Sequence, residues 1–108
     1  MTVAESFEAM PSVFNPAAAA GMTKTLQWNI TGDEAGVWAF KIDNGVGQLI
    51  PGGVENADTT FTTSGKHWVA IAEGKLDSMK AFMSGKLKVS GDMMLAMKVP
   101  QFFPLLSE

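Results

Sequence analysis

A chain of 108 residues, 46% hydrophobic and 18% charged with a formal charge of −3, has room for one globular core and excludes both a second domain and a charge-rich disordered tail. With no cysteine, it also excludes disulfides, thiolate metal sites and thiol nucleophiles. All eight basic residues are lysines, so the arginine forks that hold phosphate or guanine are missing and no nucleic-acid partner is expected.

Val3, Phe7 and Met10 recur at helical spacing and predict a short amphipathic helix that ends at Pro11. Asn15-Pro16, four alanines and Gly21 predict a second short helix with a glycine end. From Lys24 the period falls to two. Leu26, Trp28 and Ile30 alternate with Thr25, Gln27, Asn29 and Thr31, the pattern of a strand covered on one face. After the turn Gly32–Gly36, Trp38, Phe40 and Ile42 alternate with Ala39, Lys41 and Asp43 in a second strand. Asn44-Gly45 predicts a type I′ hairpin, which needs positive φ at both central positions, and a third strand follows from Val46 to Ile50. Pro51-Gly52-Gly53 ends this meander.

A fourth strand, Ala57–Thr63, turns Thr59, Phe61 and Thr63 to the face opposite Asp58, Thr60 and Thr62. Ser64 caps a helix carrying Trp68, Ile71 and Ala72, with Gly74 at its end. Asp77 caps a shorter helix with Met79, Phe82 and Met83 on one face, ended by Gly85. Leu87 and Val89 form a fifth strand, and Asp92 caps a last helix, Met93–Val99, before Pro100. This order predicts an α+β sandwich of one sheet and one helical layer. No apolar run nears the ~18 residues of a membrane span. The early Glu5 and Glu8 are unlike a secretory signal, and the final Leu106-Ser107-Glu108 is not a peroxisomal address, so the expected location is cytoplasmic.

The stretches Glu73-Gly74-Lys75-Leu76, Phe82-Met83-Ser84-Gly85-Lys86-Leu87-Lys88-Val89-Ser90-Gly91-Asp92-Met93 and Ala96-Met97-Lys98-Val99 resemble the signature region of the sterol carrier protein type-2 family. The likeness extends to Trp38–Gly45 and Ala57–Phe61. The residues make physical sense unaided. Gly85 and Gly91 reverse the chain, Lys86 and Lys88 alternate with Leu87 and Val89, and Asp92 caps a helix and complements its dipole. The resemblance implies a single domain over residues 1–108, built as a five-stranded mixed sheet with helices packed on one face. It further implies that the domain encloses an apolar tunnel accepting a fatty acyl chain, acyl-CoA, a phospholipid or a sterol. Family members fused to thiolase or dehydrogenase domains carry them upstream, so a free-standing carrier is expected.

Five of the eight methionines, Met79, Met83, Met93, Met94 and Met97, fall in one segment. Taken alone they read as ordinary core. Methionine also lines surfaces that adapt to several apolar shapes, and the resemblance implies that these residues line the tunnel. The same two readings apply to Trp28, Trp38, Phe40, Phe61, Phe82, Phe102 and Phe103. The apolar tail Phe102–Leu106 is expected over the mouth of the apolar interior or against a second molecule. His67, the single histidine, has no cysteine or second histidine to share a metal with and reads as a surface or helix-terminal group. No acid–histidine–nucleophile ordering, P-loop or dinucleotide fingerprint is present, so no catalytic residue, cofactor or metal is expected.

Residues 1–74 hold eight acids against three lysines, whereas residues 75–108 hold five lysines against three acids. Lys75, Lys80, Lys86 and Lys88 read as a solvated face or as a patch that steers the domain toward anionic lipid headgroups. The expected function is a non-catalytic lipid-binding and transfer protein. Its rivals are an accessory module that presents an isoprenoid or lipid intermediate to a partner enzyme, and a small enzyme using His67.

Overall fold

The computed structural model describes residues 1–103. Strict alternation produces five strands: β1 (Thr23–Thr31), β2 (Gly36–Asp43), β3 (Val46–Pro51), β4 (Thr59–Ser64) and β5 (Leu87–Gly91). They form one mixed sheet in the order β3-β2-β1-β4-β5, with β1 parallel to β4 and every other pair antiparallel. The β2–β3 hairpin turns at Asn44 (φ 49°) and Gly45 (φ 82°), as the sequence predicts.

Register lines up the apolar residues of one face in rows. Pro51, Trp38, Trp28, Phe61 and Val89 lie opposite one another across all five strands, and Leu49, Phe40, Leu26, Thr59 and Gly91 form the next row. On the other face stand Lys41, Gln48, Lys88 and Ser90, all exposed. The connection from β3 to β4 must pass two intervening strands, and it does so against this polar face. Val54 N–H donates to Gln27 Oε1 at 2.7 Å. Gly53 (φ 82°) lies so close that a Cβ would fall 2.5 Å from Val37 Cγ1. Ala39, between the strands' polar side chains, is fully buried although it faces outward.

The helical layer consists of α1 (Val3–Val13), a 3₁₀ turn (Pro16–Ala19), α2 (Gly65–Ala72), α3 (Ser78–Met83) and α4 (Met93–Phe102). The N-caps are side-chain oxygens: Ser64 accepts from His67 N–H, Asp77 from Met79 and Lys80 N–H, and Asp92 from Leu95 N–H. Thr2 and Glu5 complete a capping box on α1. The Thr2 N–H holds the Glu5 carboxyl below the usual carboxylate range.

Two expected helix ends are corrected by the structure. Pro11 lies inside α1 and Pro100 inside α4. Both prolines are exposed and near a C-terminus, where little of the hydrogen-bond ladder follows. Continuing each helix packs apolar side chains against the core: Val13 and Phe14, half-buried, beyond Pro11, and Phe102 and Phe103, fully buried, beyond Pro100. Each buried side chain gains about 1.5–3 kcal/mol, comparable to the ~3 kcal/mol that an interior proline costs. The second expected helix is only the 3₁₀ turn, capped by Asn15 Oδ1.

The core closes around Phe7. Its ring stacks on Trp38 at 5.1 Å on one side and on Trp68 at 5.0 Å on the other, with Trp28 tilted against it at 5.7 Å. Ser6, fully buried beside it, donates to Val3 C=O and accepts from Trp68 Nε1 at 2.7 Å. Replacing Ser6 by Ala leaves the indole N–H buried without an acceptor, so stability should fall by about 1–3 kcal/mol in denaturant titrations. The same substitution in a Trp68→Phe background should cost markedly less, because no donor is left unpaired. Equal costs in the two backgrounds would show that the hydrogen bond contributes nothing.

Candidate functional site: an apolar cavity under the helices

Over β2 and the near side of β1, Phe7 of α1 and Phe14 just beyond it pack on the inner face. Over β4 and β5 the inner-face residues are smaller, and Thr59 and Thr63 alternate with Phe61. Both threonine hydroxyls are consumed locally. Thr59 donates to Asp92 C=O at 2.7 Å and Thr63 to Lys86 C=O at 2.8 Å, which pins both ends of β5. Asp58 adds to this anchor, since its C=O accepts from Asp92 N–H and its carboxylate from Thr25 N–H.

Between this half of the sheet and α2, α3 and α4 lies a cavity of about 320 Å³. Trp28, Phe61, Leu87 and Val89 line it from the sheet, and Trp68 and Ile71 from α2. Met10, Ala96, Val99 and Phe103 complete the interior, while Ser78, Met79 and Phe82 of α3 and Met93, Met97 and Pro100 of α4 form the mouth. The mouth is open to water, for Met79 is 51% exposed and Met97 67%. Among the described residues the lining includes a hydroxyl only at Ser78 and no titratable side chain. The described lining offers apolar contact and nothing to offset the several kcal/mol needed to bury a charge.

The structure divides the twelve residues singled out from the sequence. Trp28, Phe61, Met79, Phe82, Met93, Met97 and Phe103 come together around the cavity. Trp38 instead stacks behind Phe7, and Phe40 is fully buried against Phe14 at 5.1 Å and Phe103 at 5.0 Å. Phe102 is also fully buried. Met83 and Met94, 79% and 73% exposed, stand in solvent beside the mouth and outside the lining. Of the expected apolar tail, residues 104–106 lie outside the described residues. Sequence reasoning passed over Met10, Trp68, Ile71, Leu87, Val89, Ala96 and Val99 as cavity residues. Leu87 and Val89 did carry a signal, because they occupy the same alternating face as Phe61.

His67 is the third residue of α2 and lies outside the cavity. It borders a separate polar cleft with Thr31, Thr62, Ser64, Ser84, Lys86 and Lys88. The four lysines read as one patch are therefore dispersed. Lys86 and Lys88 flank that cleft, Lys80 is exposed on α3, and Lys75 pairs with Glu73 at 3.3 Å. The Lys75 ammonium holds the Glu73 carboxyl below its ordinary value. Among the described residues no cluster of His, Asp and Glu could hold a metal ion, and no helix is long and apolar enough to cross a membrane.

Residues 7–104 match the model of the SCP-2 sterol transfer family. The chain belongs to that family. Human sterol carrier protein 2 is 37% identical over 68 residues, which are 63% of this chain and 12% of the human protein, so the chain spans a small part of that relative's length. The stereoselective inverting sec-alkylsulfatase Pisa1 from Pseudomonas sp. contains a similar region, with a TM-score of 0.73 and 29% identity over 94% of this chain and 16% of the sulfatase. Palmitated SCP2L2 from Aedes aegypti shares the fold from end to end, with a TM-score of 0.72 and 24% identity over 94% of this chain and 93% of that one. The α+β fold expected from the family is thus the one observed.

The placement of the three tryptophans yields a spectroscopic prediction. A brominated alkane entering the cavity should quench Trp28 and Trp68 and spare Trp38. Fluorescence of a Trp38→Phe variant should then be quenched by a larger fraction than that of the wild type, and fluorescence of a Trp28→Phe variant by a smaller one. Equal quenching in both variants would mean that the alkane does not occupy this space.

Proposed function

We propose that the protein is a non-catalytic lipid carrier that holds a single fatty acyl chain in the cavity between β4, β5 and α2–α4. The carrying observation is an interior that, among the described residues, is lined by apolar side chains with one serine and no charge, and that opens to water between two methionine-bearing helices. Membership of the SCP-2 sterol transfer family supports the same role. The volume of about 320 Å³ is near the lower end of the roughly 300–1,000 Å³ typical of small-molecule sites, which favours one acyl chain over a sterol or a two-chain phospholipid.

The binding mechanism is partition and shielding. Trp28, Phe61 and Phe103 give the chain rigid aromatic walls, while Met79, Met93 and Met97 adapt to its length. The ligand's carboxylate or ester head stays at the mouth near Ser78, since no deeper group could neutralise it. We assign the protein no chemistry of its own. His67 borders a different cleft, whose lining shares no residue with that of the cavity.

Organic extraction of the purified protein followed by mass spectrometry tests the reading directly, with fatty acid above background as the expected result. Stripped protein should melt lower than loaded protein, because ligand at a hundredfold excess over Kd stabilises the folded state by about 2.7 kcal/mol. Replacing Ala96 by Trp places an indole inside the cavity and should weaken binding of a dissolved fatty acid by at least roughly tenfold. His67→Ala should leave that affinity within about threefold, as a substitution away from the ligand does. The opposite ranking of these two variants would remove the cavity as the binding site.

A further inference from the structure

We infer that the methionines at the mouth form a site of reversible oxidation, and that converting Met79, Met93 and Met97 to sulfoxides discharges the acyl chain. The inference rests on the carrier reading and adds a signal for release. The chain has no cysteine, so methionine thioethers are its only sulfur targets for an oxidant. Five of its eight methionines lie on α3 and α4. Burial and position sort them. Met79, Met93 and Met97 line the mouth and are also exposed, so each meets both the ligand and a dissolved oxidant. Met83 and Met94 are exposed but stand outside the lining, whereas Met10 lines the interior and is fully buried. One chain therefore carries lining targets, bystander targets and a protected reference.

The oxidant is a hydroperoxide, of which hydrogen peroxide is the simplest. A sulfur lone pair attacks one peroxide oxygen, the O–O bond breaks, and that oxygen stays on sulfur. The other leaves as hydroxide and takes the first oxygen's proton to become water. Sulfur gives up two electrons and the peroxide gains them. The product replaces a polarizable apolar group by a strong hydrogen-bond acceptor. Ser78 holds the only hydroxyl of the described lining, so three sulfoxides would share one side-chain O–H donor. A sulfoxide held against the acyl chain loses its water, and one turned outward withdraws its contacts from the chain. Either result weakens binding. The sheet wall of Trp28, Phe61, Leu87 and Val89 contains no sulfur, so the change is confined to the roof and its opening.

The test is titration with dissolved fatty acid before and after hydrogen peroxide, with peptide mass spectrometry to locate each added oxygen. The five methionines of α3 and α4 should be oxidised and Met10 spared, with affinity falling by at least about tenfold. Bound fatty acid should slow oxidation of Met79, Met93 and Met97 and leave Met83 and Met94 unprotected. Leucine keeps the apolar volume without the sulfur. The variant Met79→Leu, Met93→Leu, Met97→Leu should therefore hold its affinity through peroxide treatment, while Met83→Leu with Met94→Leu should lose it as the wild type does. Methionine sulfoxide reductases acting on both epimers should restore binding to the oxidised wild type. Undiminished affinity in the oxidised wild type overturns the proposal, as does an equal loss in the triple-leucine variant or a loss that the reductases do not reverse. Oxidation of Met10 together with the others would show that peroxide unfolds the protein, and rejects selective discharge. Untreated protein that binds no fatty acid rejects the carrier reading and discharge with it, whereas binding that survives oxidation rejects discharge alone.

Discussion

Phe7 is held between the indoles of Trp38 and Trp68, and most of the architecture depends on that stack. Trp38 belongs to the sheet and Trp68 to α2, so one phenyl ring joins three elements that lie far apart in the chain. Aromatic pairs contribute about 0.5–1.5 kcal/mol beyond their burial, and a two-sided stack also fixes the angle at which α1 crosses the strands. Ser6 reinforces the joint by accepting the Trp68 N–H, which removes the penalty of burying that donor. Further along α1, Met10 reaches the cavity wall and Phe14 reaches Phe40 and Phe103.

The cavity follows from this asymmetric closure. On the α1 side of the sheet the facing layers are both aromatic and interlock. On the β4–β5 side, two threonines spend their hydroxyls on the backbone at the ends of β5, leaving a shallow strand surface under α3 and α4. Those helices are short, and α3 spans six residues. Their outward residues are methionines, whose unbranched side chains fill irregular gaps without specifying one packing. The sheet floor is therefore lined by aromatic and branched side chains, and the helical roof mainly by methionines.

Electrostatics assigns separate tasks to separate faces. Among the described residues the cavity lining holds no titratable group, so it offers apolar contact and no charge. Charge resides on the exterior, where the lysines of the C-terminal third are dispersed among separate sites. His67, Lys86 and Lys88 gather at a polar cleft of their own, so the single histidine is remote from the apolar interior.

Much of the fold was legible in the chain because local rules govern it. Alternation located the strands, Asn44-Gly45 specified the hairpin, and Ser64, Asp77 and Asp92 marked the helix starts, each through contacts within a few residues. The family signature from Gly85 to Asp92 was equally local. Other features depended on distant parts of the chain. Pro11 and Pro100 failed as stop signals because the burial of Phe14, Phe102 and Phe103 offset the lost hydrogen bonds, and that burial depends on elements nearly a hundred residues away. The parallel pairing of β1 with β4 was likewise invisible, since it needs a crossover whose fit depends on Gly53 against Val37 and Gln27. The candidate site was legible only as a population of aromatic and methionine residues. Trp28 and Trp38 sit directly opposite each other in adjacent strands, with the same periodicity and the same face. Which of them borders the cavity was decided by where α1 placed Phe7, because a ring already stacked on one indole leaves open space only beyond the other.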